Sequence, residues 1–205
     1  MTTLAMFSGG LDSTAMLVRL LIETSGDLRV HHIRMANREG RVEAEQEAVE
    51  AILKWCRERY RPFRYSESGL DFSSLEAIPI DYLSVAYVAC QVAIDTPDCK
   101  RIAVGTLARD LDEIKRSVTV VQRRVFGAMY ECYRARKLGE PVVEWIYPVY
   151  SMTKPQIALM LAPELRKLTW SCRRPLRGPS GFQVCGVCKP CQARLGISAA
   201  LGVSL

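Results

Sequence analysis

The sequence has no run of about 18 uninterrupted apolar residues, so no membrane-spanning helix is expected. It also lacks a basic segment ahead of its first apolar run, Leu4 to Phe7, which is not the make-up of a secretory leader. A cytoplasmic setting is therefore expected, where thiols stay reduced and cysteines need a reading other than disulfides. Internal repeats, low-complexity tracts and long linkers are absent too. Histidine is scarce. His31 and His32 stand together inside one strand-like run and read as packing residues.

What remains is the composition of a globular protein of 205 residues, with 49% hydrophobic and 24% charged residues, enough for one domain with a substantial core. The net charge is +6. Basic residues concentrate in Arg57 to Arg64 and in Arg123 to Lys137, which read mainly as solvated helix faces. A polyanionic nucleotide substrate accounts for part of the excess.

Short apolar runs at Thr3 to Phe7, Arg29 to Met35, Phe63 to Tyr65, Arg101 to Gly105 and Val142 to Tyr147 predict strands. Helical patterns lie between them at Ala15 to Glu23, Arg41 to Arg59, Asp81 to Ile94 (apolar almost all round, hence buried) and Val118 to Lys137. Lys154 to Leu161 follows the last strand, with Pro155 in a favoured first-turn position. Strict alternation predicts an α/β fold with a parallel five-stranded sheet covered on both faces. Ligand chemistry in such a sheet sits at the carboxyl ends of the strands, so the loops beginning at Ser8, Ala36, Thr106 and Pro148 are the places to look.

The first of these loops reads Ser8-Gly9-Gly10-Leu11-Asp12-Ser13-Thr14. Its glycines let backbone amides approach a ligand closely, its hydroxyls add donors, and the helix behind it favours an anion. Together they make a cradle for a pyrophosphate-sized group. No Gly-Lys-Ser/Thr follows, which excludes the Walker loop. Near the other end, Cys172, Cys185, Cys188 and Cys191 form the pattern C-x12-C-x2-C-x2-C. Two-residue spacers turn successive thiolates toward one centre, with Gly186 and Pro190 suiting the turns. Four thiolates suit a closed, structural Zn²⁺ site, and an iron–sulfur cluster is the alternative. The other cysteines, Cys56, Cys90, Cys99 and Cys132, read as small buried hydrophobes.

The glycine string resembles the SGG-x-DS motif of the PP-loop (N-type) ATP pyrophosphatases, whose members include GMP synthetase, NAD synthetase and RNA-modifying ligases and thiolases. The string Leu168-Thr169-Trp170-Ser171-Cys172, followed by Cys185-Gly186-x-Cys188-x-x-Cys191-x-x-Arg194, resembles the zinc tail of the 7-cyano-7-deazaguanine synthase (QueC) family. That resemblance implies a Rossmann-like adenine nucleotide alpha hydrolase fold, with an ATP-binding domain over residues 1–165 and a zinc-binding region over 166–205. It implies that Ser8, Gly9, Gly10, Leu11, Asp12, Ser13 and Thr14 bind ATP, with Asp12 helping to place Mg²⁺ and Lys154, after Thr153, facing the phosphates. Ser8, Asp12, Ser13 and Lys154 become the catalytic candidates; Arg41, Asp81 and Asp110 are the substrate-binding ones. The implied reaction adenylates the carboxylate of 7-carboxy-7-deazaguanine and passes it to ammonia, giving amide and then nitrile. No Ser-His-Asp or Cys-His arrangement is required.

The middle of the chain departs from that family. Its Pro-x-Arg-Asn segment is replaced by Ile78-Pro79-Ile80-Asp81-Tyr82, and its Tyr-Pro-Asp-Cys motif is missing after the fourth strand. Three readings follow: a nitrile-forming synthase, a QueC-like ligase that hands the acyl group to a protein amine (a plausible component of bacterial antiphage systems), or a non-catalytic nucleotide- or nucleic-acid-binding module. Under the second, the basic helix 123–137 would dock the protein partner. The family also suggests a homodimer.

Overall fold

The computed structural model describes residues 1–76, 81–108, 143–179 and 181–205. Strand β1 (Thr2–Met6) is buried at every position because it is the middle of the sheet and meets side chains on both faces. β2 (Asp27–Ala36) and β3 (Arg64–Asp71) lie on one side of it, and β4 (Cys99–Val104) and β5 (Glu144–Ile146) on the other. The order is β3-β2-β1-β4-β5 and every pairing is parallel. The expected parallel, Rossmann-like sheet is therefore present.

Pleating divides the core in two. Ala5 and Phe7 face one cluster, shared with α1 (Leu11–Glu23) and α2 (Val42–Arg59); Leu4 and Met6 face a second, shared with α3 (Asp81–Asp95). Two short helices, α4 (Lys154–Met160) and α5 (Pro163–Leu168), close the first cluster with Ile157 and Leu165. Thr153 starts α4 with a reciprocal cap: its hydroxyl accepts from the Gln156 backbone N–H, while the Gln156 side chain accepts from the Thr153 N–H.

From β1 the chain builds outward through β2 and β3, while β4 enters on the other flank. The topological switch point, and with it the ligand crevice, thus falls between the carboxyl ends of β1 and β4. Gly105, just past β4, sets the closeness of its two walls. A Cβ there would stand 2.7 Å from both N and Cα of Ser13, on the first turn of α1. No side chain fits between these two stretches of backbone.

Three elements differ from expectation. β3 does not stop at Tyr65 but continues to Asp71 through the polar Ser66-Glu67-Ser68. It pairs only with β2 among the described strands, so much of it needs no apolar side chains. α3 is not buried all round: it buries Ala86, Val88, Ala89, Cys90 and Ala93, but Tyr87 on its outer side is 50% exposed. Past α5, where no element was expected, the chain forms the antiparallel pair β6 (Leu176–Gly178) and β7 (Gly181–Gln183), then helix α6 (Lys189–Leu201). α6 escapes pattern reading because its fully buried residue is Cys191 rather than an apolar stripe.

Cys56, Cys90 and Cys99 are buried as expected. The predicted basic helix Val118–Lys137 with its docking face 123–137, Cys132, Asp110 and the segment Ile78-Pro79-Ile80 lie outside the described residues. No helix among those described is long and apolar enough to cross a membrane.

Gly105→Ala should force β4 and α1 apart at the crevice. The expected loss is about 1–3 kcal/mol of stability, as for other overpacked sites, read from the midpoint of urea unfolding.

Candidate functional site

The loop between β1 and α1 is held by its own hydroxyls. Ser8 Oγ and Ser13 Oγ lie 3.1 Å apart, and the Ser8 backbone N–H donates to Ser13 Oγ at 3.3 Å. Ser13 Oγ and Thr14 Oγ1 both donate to the Gly10 carbonyl, at 3.1 and 2.8 Å. Gly10 is the first residue before α1, and none of these side chains caps the helix in the usual sense. The hydroxyls brace the turn and leave the amides at the helix start for a ligand. Gly9 adopts φ +73°, and a Cβ there would lie 3.0 Å from Val49 Cγ2 on α2. Leu11 points into the first core.

Three outside contacts fix the loop from behind. The last carbonyl before it, on Phe7, accepts from Nδ1 of His32 at 2.9 Å. His32 is fully buried and held neutral by that burial, so Nδ1 carries its proton. The Gly9 carbonyl accepts from the backbone N–H of Trp170 at 2.9 Å. The third contact is the close approach of Gly105. His32 thus does more than pack, and neither Trp170 nor Gly105 was expected at this site.

Lys154, at the start of α4, brings Nζ to 2.6 Å from Asp12 Oδ2. Two residues 142 apart in the chain, chosen from sequence for the same phosphate site, thus meet. The pair is partly exposed, as a metal–phosphate ligand would need, with side-chain exposures of 38% and 19%.

A cleft opens beside the loop. Ser8, Ser13, Met6 and Gly105 form one wall; His31, Ile33 and Met35 of β2 the floor; Arg41, Glu45, Asp81 and Val85 the other wall. His31 is neutral, with its pKa pushed down to about 4 by burial and by Arg29, and its ring nitrogens pair with Ser66 and Ser68 at 2.9 and 3.0 Å. Those polar β3 residues therefore satisfy a buried histidine.

Arg41 and Asp81, both sequence candidates, pair at 2.8 Å in this wall. They belong to a larger, half-buried cluster that sequence did not reveal. Arg41 also reaches Glu39 and Glu45, each at 3.1 Å, and Arg173 reaches Glu39 and Asp81, each at 3.0 Å. Three carboxyls thus face two guanidiniums. Burial dominates at Glu45 and pushes its pKa up to about 7, against the attraction of Arg41.

Arg173 directly follows Cys172, so the same cluster ties the cysteine centre to the cleft. The Sγ atoms of Cys172, Cys185, Cys188 and Cys191 all lie within 4.8 Å of one another. Backbone N–H groups of Cys185 and Cys188 donate to Cys172 Sγ and Cys185 Sγ at 3.3 and 3.4 Å. Such bonds stabilise thiolates, and those from Val187 and Cys188 pull Cys185 down to about 6. The donor set is one a metal would take. Around it, Trp170 Nε1 donates to the Cys172 carbonyl at 3.0 Å and Arg194 donates to Thr169 Oγ1 at 2.8 Å, knitting α6 to the strand of chain that meets Gly9.

No protein-family profile and no curated protein matches the chain. Among solved structures, the U34-tRNA thiolase NcsA from Methanococcus maripaludis, described with its [4Fe-4S] cluster, superposes with a TM-score of 0.54 at 15% identity. The match covers 98% of this chain and 66% of that one, just under two thirds of its length. This likeness shows a shared fold.

Because Glu45 holds its proton more tightly folded than unfolded, its contribution to stability is present below about pH 4.5 and lost as pH rises toward about 7. Glu45→Gln should flatten that decline. Urea unfolding of both proteins across this range measures it, and parallel pH curves would contradict the buried-proton description.

Proposed function

We propose that the chain is an ATP-dependent ligase that cleaves ATP between its alpha and beta phosphates and adenylates a carboxylate. The observation carrying this reading is the braced loop Ser8–Thr14, whose Asp12 meets Lys154 at the switch point of a parallel sheet. The amides and hydroxyls of the loop hold the pyrophosphate portion, and the α1 dipole favours its charge. Lys154 neutralises phosphate oxygens, and Asp12 helps place the Mg²⁺ that accompanies ATP. Catalysis in this scheme is positioning and charge stabilisation rather than a covalent enzyme intermediate. A non-catalytic module would have no use for a lysine and an aspartate converging on that loop.

The carboxylate substrate is of the 7-carboxy-7-deazaguanine type, on the resemblance of both ends of the chain to the QueC family. Arg41 and Asp81 border the cleft where it would lie. The acceptor is ammonia, giving amide and nitrile. A protein amine is the second reading, favoured by the replacement of the family's segment at Ile78–Tyr82 and by the missing Tyr-Pro-Asp-Cys motif.

The cysteine centre holds zinc in this reading. A tetrahedral ion with Zn–S bonds of about 2.3 Å puts its sulfurs roughly 3.8 Å apart. The contacts of 3.4 and 4.0 Å to Cys191, within a set spanning no more than 4.8 Å, suit such an ion. A four-iron cluster would bind each sulfur to a different iron and spread them wider. The ion's task would be structural: Cys172 lies in the stretch that brings Trp170 to Gly9 and Arg173 to Glu39 and Asp81.

The test is pyrophosphate release from ATP with 7-carboxy-7-deazaguanine, with and without ammonia, followed by mass spectrometry. Ammonia-dependent nitrile supports the synthase, and pyrophosphate without nitrile supports the protein-amine acceptor. Lys154→Ala should lower release by about 100-fold or more. No release with any acid would refute the ligase. Metal analysis should find one zinc per chain; a brown iron chromophore would refute that assignment.

A further inference from the structure

Displacement of AMP by an amine creates a proton problem that the phosphate loop does not address. An ammonium ion cannot attack, and the nitrogen must shed protons as the new bond forms. Among the described residues bordering the cleft, His31 is neutral with both nitrogens engaged by Ser66 and Ser68. Arg41 is a permanent cation and Asp81 is held by two guanidiniums. Glu45 is different. It shares the cleft with Ser8 and Ser13, and its backbone carbonyl would lie 3.5 Å from a Cβ on Gly9, so its turn of α2 stands against the phosphate loop.

We propose that the Glu45 carboxylate is the proton acceptor for the amine that displaces AMP. This rests on the ligase reading given above. The charges around Glu45 set it apart from the other two carboxyls of its cluster. Glu39, from the loop between β2 and α2, pairs with both Arg41 and Arg173. Asp81, from α3, does the same. Among the described residues Glu45 pairs with Arg41 only, at 3.1 Å. Two guanidiniums face three carboxyls, and Glu45 is the member with a single ion-pair partner. A buried carboxyl in that position exchanges its proton near neutral pH, where a general base is most useful.

In the step itself, the amine nitrogen bonds to the acyl carbon, and the carbonyl carbon–oxygen bond to the phosphate of AMP breaks. AMP leaves with that electron pair, the nitrogen's proton passes to Glu45, and Glu45 returns it to solvent through the open cleft. Nothing is oxidised or reduced.

The experiment separates the two half-reactions in the full-length protein. Adenylation is followed by carboxylate-dependent exchange of labelled pyrophosphate into ATP, using 7-carboxy-7-deazaguanine. Transfer is followed by amide formation with ammonia. Glu45→Gln should lower the ratio of transfer to exchange by about 100-fold. It should also remove the inflection near neutral pH from the transfer profile. Hydroxylamine, already unprotonated at neutral pH, should restore much of the transfer, and Glu45→Asp should retain part of it with ammonia. An unchanged ratio in Glu45→Gln overturns the proposal. So does equal loss of exchange and transfer in a variant that keeps its metal and its unfolding midpoint, because Glu45 would then serve nucleotide or acid binding. If wild-type protein shows no exchange with any acid, the ligase reading fails first and the proposal falls with it.

Discussion

The backbone of Ser8 to Thr14 is braced from within by its own hydroxyls and from outside by contacts with three distant parts of the chain. That constraint organises the rest of the chain. His32 holds the carbonyl of Phe7, Trp170 holds the carbonyl of Gly9, and Gly105 lets the end of β4 press against Ser13. One contact comes from the neighbouring strand, one from the C-terminal region and one from the far side of the switch point. Each uses a carbonyl or the turn behind the loop, so none of the three occupies a loop N–H. Preorganisation of this kind is what makes a set of N–H donors worth more to an anion than the same donors on a mobile chain.

The second organising feature is the ionic cluster of Glu39, Arg41, Glu45, Asp81 and Arg173. Taking charges out of water costs several kcal/mol per ion unless they satisfy one another. Here five charged groups from three separate stretches of chain meet, with one carboxyl in excess. The result is directional docking. An apolar contact between α2, α3 and the cysteine region could slide, whereas paired guanidiniums and carboxylates meet in one register. The pairing also leaves one wall of the cleft charged and the floor, made of Ile33 and Met35, apolar.

The parallel sheet, the glycine loop and the cysteine centre were legible because each is local. A strand-to-helix turn, or a two-residue spacer between thiolates, lies within a few residues of sequence. Lys154 was legible only by resemblance, and the structure brings it to Asp12. Contacts between distant segments left no local trace. Glu39, Glu45 and Arg173 look like ordinary surface charges on a basic, helix-rich chain, and nothing in their spacing announces that they meet in one cluster. Ser66 and Ser68 read as loop residues because a strand on the edge of the described sheet can be polar, and their service to His31 depends on strand register. Gly105 was seen as the end of a strand, but its closeness to Ser13 is a property of two elements crossing.

The hydrogen bond between Trp170 and Gly9 has a bearing on how the protein comes into being. The ribosome delivers the glycine loop well before the segment that fastens it. Until that segment is made, the β1–α1 turn exists without its brace, and the cluster around Arg41 lacks one of its two cations. The turn between β1 and α1 is therefore fastened only after the cysteine region has been made and has folded against it. Anything that keeps the four thiols of that region from gathering would leave Gly9 without its partner.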